Sequence, residues 1–378
     1  MKKSPFIYGV AVSGKSFTNR EKELEKLKKN LLGGVNTVII SPRRWGKSSL
    51  VDKAVQQISE GNHDTKIVHI DLFSTSSEEE FLSKFAREVI KSSSEKWEEW
   101  LKIGKDFFKQ LIPKFSVGID PETDFSVSFD FGELIRHKDE ILGLPQAIAT
   151  RKKIKFVICL DEFQSLAAFD GYENLEKKMR AEWQRQKDVC YCLYGSKRHM
   201  MTDIFDNSSK PFYRFGDLIP LQKIERERWI EFIVAGFKRT GKSVSPDAAA
   251  LIADQMRNHP WYVQQLSHYT WQNTRKTAGP EEVKRASEEL LRTNAPLYHK
   301  EVEALSGTQI NLLKAVAEGV EQLTGTVAMQ KYALGTPRNV SKNKTSLKNS
   351  DIIDENNGKL EFLDPAFEMW FRERFLNQ

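Results

Sequence analysis

The chain has 378 residues, of which 39% are hydrophobic and 29% charged, a balance that excludes a disordered chain and leaves room for about two or three cores. The net charge of +6 permits contact with nucleic acid without requiring it. No apolar run approaches the roughly 18 residues of a membrane span. The three cysteines lie in apolar strand-like runs, which favours reduced core thiols and a cytoplasmic protein.

The first part of the chain alternates between helical and strand-like patterns. Residues 19–32 predict a helix with an apolar stripe, and residues 37–40 predict a short buried strand. After a polar loop comes a second helix, followed by a strand at 66–73 and a helix at 77–91. Strand and helix in this order indicate an α/β fold with a parallel sheet covered on both faces.

Residues 92–150 interrupt this alternation with an aromatic and charged segment. Two alternating runs, 114–119 and 124–131, predict an inserted hairpin. The parallel pattern then resumes with strands at 156–160 and 189–194.

The rest of the chain is mainly helical. We predict four helices at residues 226–239, 246–257, 261–274 and 281–293. From about residue 300 the pattern changes to three helices, a short strand pair and a last helix. The expected domains are therefore residues 1–220 around the sheet, 221–298 as a helical domain and 299–378 as a third unit.

Three segments compete as a phosphate-binding loop. The pattern G-x-x-x-x-G-K-[ST] occurs at residues 9–16 and 236–243, and imperfectly at residues 41–48, where Ser41 replaces the first glycine. A phosphate loop needs a buried strand before it and a helix that begins at its lysine, and only residues 41–48 have both. Residues 236–243 instead end an amphipathic helix. We therefore predict that residues 41–48 bind a nucleoside triphosphate, namely ATP with Mg²⁺.

Three residues of this loop have expected roles. Lys47 should reach the β- and γ-phosphates, Ser48 should ligate magnesium, and Gly46 lets the backbone approach closely. If the position of Ser41 requires a positive φ, serine there would add strain.

Two acids follow the apolar strand at residues 156–160. Asp161 and Glu162 should lie at the carboxyl edge of the sheet, where nucleotides bind in open α/β folds. We expect Asp161 to hold the magnesium ion and Glu162 to polarise the attacking water.

Together these residues resemble the archaeal-type ATPases of the STAND branch of P-loop ATPases, distant relatives of the AAA+ and origin-recognition proteins. The resemblance covers nearly the whole chain. Residues 17–24 are similar to the family's entry motif near the adenine, residues 42–50 to its phosphate loop, and residues 161–164 to its acid motif. The nucleotide-binding residues that it implies are Asn19, Arg20, Pro42, Arg43, Arg44, Trp45, Gly46, Lys47, Ser48, Ser49 and Pro260.

The resemblance also implies further catalytic residues beside Lys47 and Glu162. Ser196 ends a strand that senses the γ-phosphate in the family. Arg214 matches an arginine directed toward the nucleotide, acting in its own subunit or in a neighbour; the alternative is a surface arginine beside an aromatic pair. Pro260 stands in the family's Gly-x-Pro lid motif, with Asn258 in place of the glycine, and could equally be a plain helix starter.

The last 80 residues or so resemble a winged-helix domain. A helix at 336–349 carries four cations and no acid, namely Arg338, Lys342, Lys344 and Lys348, and residues 352–362 predict the wing. The basic helix could lie in the major groove of double-stranded DNA. Alternatively, it is a solvated face on a protein-interaction or clamping module.

Three functional hypotheses follow. The first is an ATPase switch, in which ATP binds between the sheet and the helical lid and the winged helix reports its hydrolysis to a partner. The second is a DNA-bound regulator that holds nucleotide without cycling it. The third is a protein-assembly factor that recruits a partner through the insertion at 92–131.

Overall fold

The computed structural model describes residues 3–9, 19–94, 117–120, 123–127, 135–356 and 358–376. The chain divides into two compact units. The sheet unit is Arg20–Gln222, and the helical unit combines Met1–Asn19 with Lys223–Gln378.

The sheet unit alternates strands and helices along the chain. Its elements are α1 (Glu21–Leu32), β1 (Thr37–Ile40), α2 (Lys47–Gly61), β2 (Thr65–Asp71), α3 (Glu78–Ser92), β3 (Val117–Asp120), β4 (Thr123–Val127), α4 (Lys138–Lys152), β5 (Lys155–Asp161), a 3-10 helix (Phe163–Ala168), α5 (Tyr172–Trp183), β6 (Val189–Gly195), α6 (Arg198–Asp206) and β7 (Asp217–Pro220).

Five of these strands form one parallel sheet in the order β2-β5-β6-β1-β7. The sheet confirms the α/β class and the strands predicted near residues 37, 66, 156 and 189. Asp71 pairs with Asp161, and Ile40 with Gly195, so the carboxyl ends of four strands meet at one edge. This shared edge brings together loops that are far apart in sequence.

The helices of the sheet unit cover the sheet with their apolar faces. The predicted stripe of α1 is buried as Leu24, Leu27 and Leu31. On α5, Trp183 is buried and stacks on Tyr191 of β6, with ring centroids 4.2 Å apart. Aromatic stacking and burial together fix α5 against the strand that leads to the functional edge.

Helix α4 begins within residues 92–150, where the sequence predicted an insertion that interrupts the alternation of strands and helices. Helix α4 belongs to the core of the sheet unit, because its Ile141 and Ile148 pack in the same buried cluster as Phe85 of α3. Gly143 and Pro145 inside it weaken the helical pattern, which hid it in the sequence. The hairpin predicted in this region is present as antiparallel strands β3 and β4. Most of the aromatic part of the insertion lies outside the described residues.

The helical unit follows from residue 223. Its elements are α7 (Arg226–Arg239), β8 (Ser243–Val244), α8 (Pro246–Gln255), α9 (Pro260–Asn273), β9 (Thr277–Ala278), α10 (Pro280–Glu303), α11 (Gly307–Ala317), α12 (Thr326–Lys331), α13 (Pro337–Asn349), β10 (Ile353–Asn356), β11 (Lys359–Phe362) and α14 (Pro365–Phe375).

The predicted helices and wing are present in this unit, with one difference of length. Helix α10 continues past residue 293 to Glu303 and so crosses the predicted domain boundary at 298/299. Tyr298 of α10 packs on Phe367 of α14, with ring centroids 5.3 Å apart. The helical region and the winged helix therefore share one hydrophobic core within this unit.

Two further expectations concern the thiols and the membrane. Cys159, Cys190 and Cys192 are buried free thiols in β5 and β6, as predicted. Among the helices that the structure describes, none is both long and apolar enough to cross a bilayer. The cytoplasmic location stays a prediction.

Candidate nucleotide-binding site

The loop at residues 41–46 connects β1 to α2, which begins at Lys47 as predicted. Its left-handed positions are Arg44, with φ of 64°, and Gly46, with φ of 88°. Ser41 is fully buried and does not have a positive φ, so the strain considered for this serine does not arise. The first N–H groups of α2 and the positive end of its dipole are thus available to an anion at this loop.

Ser48 and Asp161 meet at the carboxyl edge of the sheet. The Ser48 hydroxyl donates to Asp161 across 3.0 Å, and the other carboxylate oxygen of Asp161 accepts the N–H of Glu162 across 2.8 Å. Burial raises the pKa of Asp161, and the adjacent Glu162 charge raises it further, while Lys47 opposes both. A half-buried carboxylate beside a hydroxyl is a pair of hard oxygen ligands, so these two residues fit a magnesium ion.

Lys47 forms an ion pair with Glu162. The distance from Lys47 Nζ to Glu162 Oε1 is 3.1 Å, and the two side chains are only 9% and 16% exposed. The second oxygen of Glu162 accepts from the Ser196 hydroxyl at 2.8 Å and from its N–H at 3.2 Å. Burial raises the pKa of Glu162, but the Lys47 charge and the hydrogen bonds outweigh it and hold that pKa below the usual value. Glu162 is therefore kept as an anion.

Gln164, which lies in the acid motif at residues 161–164 but was given no role of its own, also contacts Glu162. Gln164 donates from Nε2 to Oε2 of Glu162 across 2.6 Å. The available signal was an amide side chain in a short 3-10 helix, two positions after the acid.

Arg20, from the motif at residues 17–24, contacts the loop at residues 41–46. This arginine is buried and donates to Glu23 at 2.9 Å and to the carbonyl of Trp45 at 3.5 Å. Burial lowers the pKa of Arg20, and the hydrogen bond to Glu23 opposes this. Asn19 has a φ of 54°, a left-handed conformation that glycine and asparagine adopt most readily.

The other predicted loop residues differ in exposure. Pro42, Trp45 and Ser49 are buried, whereas Arg43 and Arg44 are exposed. The two arginines therefore present their side chains to solvent beside the loop.

The structure gives Arg214 a different set of contacts from those of Lys47, Asp161 and Glu162. Arg214 is exposed, has a φ of 54°, and its guanidinium lies 5.1 Å from the ring centroid of Tyr213. Within the part of the chain that the structure describes, it makes no ion pair with these acids. Its catalytic role stays a prediction.

Pro260 lies in the helical unit, where it is buried as the first residue of α9. Asn258 has a φ of 57°, and its carbonyl accepts from the indole of Trp229 at 3.2 Å. A left-handed position explains why asparagine stands where the family has glycine. The contact of Pro260 with nucleotide stays a prediction.

The competing segment at residues 236–243 is a helix ending, as predicted. The N–H of Gly241 donates to the carbonyl of Lys238, and the N–H of Lys242 donates to the carbonyl of Phe237. This is the Schellman arrangement, with Gly241 at a φ of 77°. The segment at 9–16 lies outside the described residues apart from Gly9.

The predicted basic face of α13 is divided in two. Lys344 and Lys348 pair with Glu355 of the wing at 2.9 and 3.4 Å. Arg338 and Lys342 line a separate shallow groove together with the polar residues Ser341, Thr345, Ser346, Asn349 and Ser350. The four cations therefore do not form one open surface, because Lys344 and Lys348 both pair with Glu355, whose single negative charge offsets one of their two positive charges.

The parallel sheet, the loop before α2 and the acids after β5 define a P-loop NTPase. A family model described as an ATPase domain predominantly from Archaea matches residues 17–266, and the chain belongs to this family. A second model, described as a probable winged helix domain, matches residues 296–373.

Solved structures show the same fold at low identity. The Walker-type ATPase PABY2304 of Pyrococcus abyssi is 18% identical with a TM-score of 0.64, covering 95% of this chain and 97% of that one. The ORC2 protein of Aeropyrum pernix, in its ADPNP–ADP complexes, is 15% identical with a TM-score of 0.57, covering 95% and 96%. No curated protein matches the sequence.

Proposed function

We propose that this protein is an ATP-hydrolysing switch whose nucleotide state controls what the winged helix domain binds. One observation carries the proposal: Lys47 and Ser48 at the start of α2 meet Glu162 and Asp161 after β5, at 3.1 and 3.0 Å. These are the cation, hydroxyl and carboxylates that phosphoryl transfer needs at one place. ATP is the proposed nucleotide because the chain belongs to an ATPase family.

The contacts suggest how the site works. A bound triphosphate competes with Glu162 for Lys47, which then neutralises the β- and γ-phosphates. Ser48 and Asp161 would hold Mg²⁺, which supplies further charge neutralisation when bound. Glu162 takes a proton from the attacking water, whose oxygen bonds to the γ-phosphorus while the bond to the β–γ bridging oxygen breaks. ADP and phosphate are the products.

The remaining predicted residues are assigned supporting roles in this proposal. Ser196 reports the γ-phosphate through its two hydrogen bonds to Glu162. Arg214 stabilises the transferred charge, from its own subunit or a neighbouring one. Asn19, Arg20 and Pro260 contact the nucleotide.

ATP turnover measured with and without double-stranded DNA tests the proposal. We expect turnover that requires Mg²⁺ and a rate that changes when DNA is added. Background rates under both conditions would contradict the switch and favour a regulator that holds nucleotide without cycling it.

We propose double-stranded DNA as the target of the winged helix domain, because of the side chains that line a groove on α13. The groove on α13 combines Arg338 and Lys342 with hydroxyl and amide side chains, the groups that contact phosphates of DNA. Lys344 and Lys348 are held by Glu355, so they contribute less.

Salt dependence of DNA binding distinguishes these two pairs of cations. We expect the double substitution Arg338→Ala and Lys342→Ala to weaken binding and to reduce the slope of log affinity against log salt by about 2. Lys344→Ala with Lys348→Ala should have a smaller effect, because both lysines pair with Glu355 and its charge already offsets one of their two positive charges. Fluorescence anisotropy with duplex DNA across a salt series measures both, and equal slopes for the two double variants would contradict the assignment.

A further inference from the structure

Gln164 is a buried amide directly beside the proposed general base. It is 3% exposed, and its Nε2 lies 2.6 Å from Oε2 of Glu162, the shortest of the contacts to that carboxylate. Its Oε1 is buried and accepts no hydrogen bond within the described residues. Leaving an acceptor unsatisfied in this way costs free energy, so the amide is an unusual choice for packing alone.

Gly195, the last residue of β6, packs directly against the Gln164 amide. A Cβ at Gly195 would lie 1.9 Å from Gln164 Oε1 and 2.8 Å from the sulfur of Met201. Real Cβ atoms do not approach other atoms so closely, so a side chain at position 195 would force Gln164 or Met201 out of its observed position. The requirement is steric, since Gly195 does not have a positive φ.

The contacts to Glu162 divide between its two oxygens. Oε2 accepts from Gln164 Nε2 and from both the hydroxyl and the N–H of Ser196. Oε1 meets only Lys47 among the contacts resolved in this cluster. A triphosphate that draws Lys47 away would therefore release Oε1 and leave Oε2 held in place.

We propose that Gln164 is a positioning residue: it anchors Oε2 of Glu162 so that Oε1 is presented to the attacking water. This inference rests on the proposed function, because it gives Gln164 a role only if Glu162 acts as the base. Holding a reacting group in its productive orientation commonly changes a rate by about 10- to 100-fold.

Gln164→Met tests the anchor with little disturbance of packing. Methionine keeps the length and approximate shape of the side chain but has no N–H to donate, and it also removes the unsatisfied Oε1. We expect kcat for ATP hydrolysis to fall by about 10- to 100-fold, with KM for ATP within about twofold of wild type. The thermal unfolding midpoint should be unchanged or higher, because the substitution removes a buried acceptor that has no partner.

Gln186→Met is the matched control in the same unit. Gln186 donates to the Leu142 carbonyl at 2.9 Å and accepts from the Tyr191 hydroxyl at 2.7 Å, away from Glu162. It should lower the unfolding midpoint and leave kcat unchanged. Gly195→Ala tests the same contact without changing Gln164 itself. Because the added methyl group would displace the Gln164 side chain, it should lower kcat and leave KM unchanged.

The outcomes separate the inference from the function on which it rests. If Glu162→Gln stops turnover while Gln164→Met keeps the wild-type kcat, the anchor is refuted and the proposed function stands. A fall in kcat that comes with a loss of stability like that of Gln186→Met also overturns it, since packing would then explain the effect. Turnover that survives Glu162→Gln overturns the proposed function and the anchor together.

Discussion

Replacing Glu162 with glutamine is expected to lower the ATP turnover rate by about 10²- to 10⁴-fold while ATP binding is retained. Glutamine has nearly the same size, and its amide can still meet Ser196, but it cannot take a proton from water. Lys47 also loses an anionic partner at 3.1 Å, so it becomes freer to bind phosphate and the affinity for ATP should not fall. Steady-state turnover tests the expected fall in rate, and direct measurement of the ATP dissociation constant tests the retained affinity.

Glu176→Gln is a control for this substitution. Glu176 is a fully buried glutamate on α5 of the same unit, burial raises its pKa, and glutamine has nearly the same size. Its replacement should leave turnover within about twofold of wild type. A Glu162→Gln protein that hydrolyses ATP as fast as this control would remove Glu162 from the mechanism.

The sequence predicted those parts of the fold whose local pattern agrees with their tertiary environment. The stripe of α1 has a clear helical period and β5 is a continuous apolar run, and both elements are present near the predicted bounds. Strand β7 was missed because only Leu218 and Ile219 of its four residues are aliphatic, between Asp217 and Pro220, two residue types that are depleted in strands. Helix α4 was missed because Gly143 and Pro145 weaken its local pattern, although burial against α3 stabilises it. In both cases tertiary packing outweighs local propensity.

The site residues also divide into those that the sequence could predict and those that depend on tertiary contacts. Lys47 and Ser48 could be predicted because a strand, a turn and a helix start are all local features of the loop. The acids Asp161 and Glu162 followed from a general property of parallel sheets, whose carboxyl ends share an edge. The pairing of Lys344 with Glu355 and the seating of Gln164 against Gly195 join different elements, so no local pattern could reveal them.

The competing glycine-lysine motifs allow a direct comparison of two lysines. Lys47→Ala is expected to raise the ATP dissociation constant by about 10- to 100-fold, because a hydrogen bond to a charged group contributes about 1.5–3 kcal/mol. Isothermal titration with ATP measures this. Thermal unfolding of the same variant shows whether the protein is still folded, so that weaker binding can be attributed to the missing lysine.

Lys242→Ala changes the lysine of a literal motif match and should leave ATP binding unchanged. Lys242 donates to the carbonyl of Trp271 at 2.7 Å and lies 4.0 Å from the centroid of its ring, so it stabilises a helix ending. We expect its loss to lower the free energy of unfolding by about 1 kcal/mol. Equal weakening of ATP binding by both variants would contradict the choice of residues 41–48. The two lysines differ because a phosphate site depends on the strand before the loop and the helix after it, and the letters G-K-S occur equally well where a helix ends.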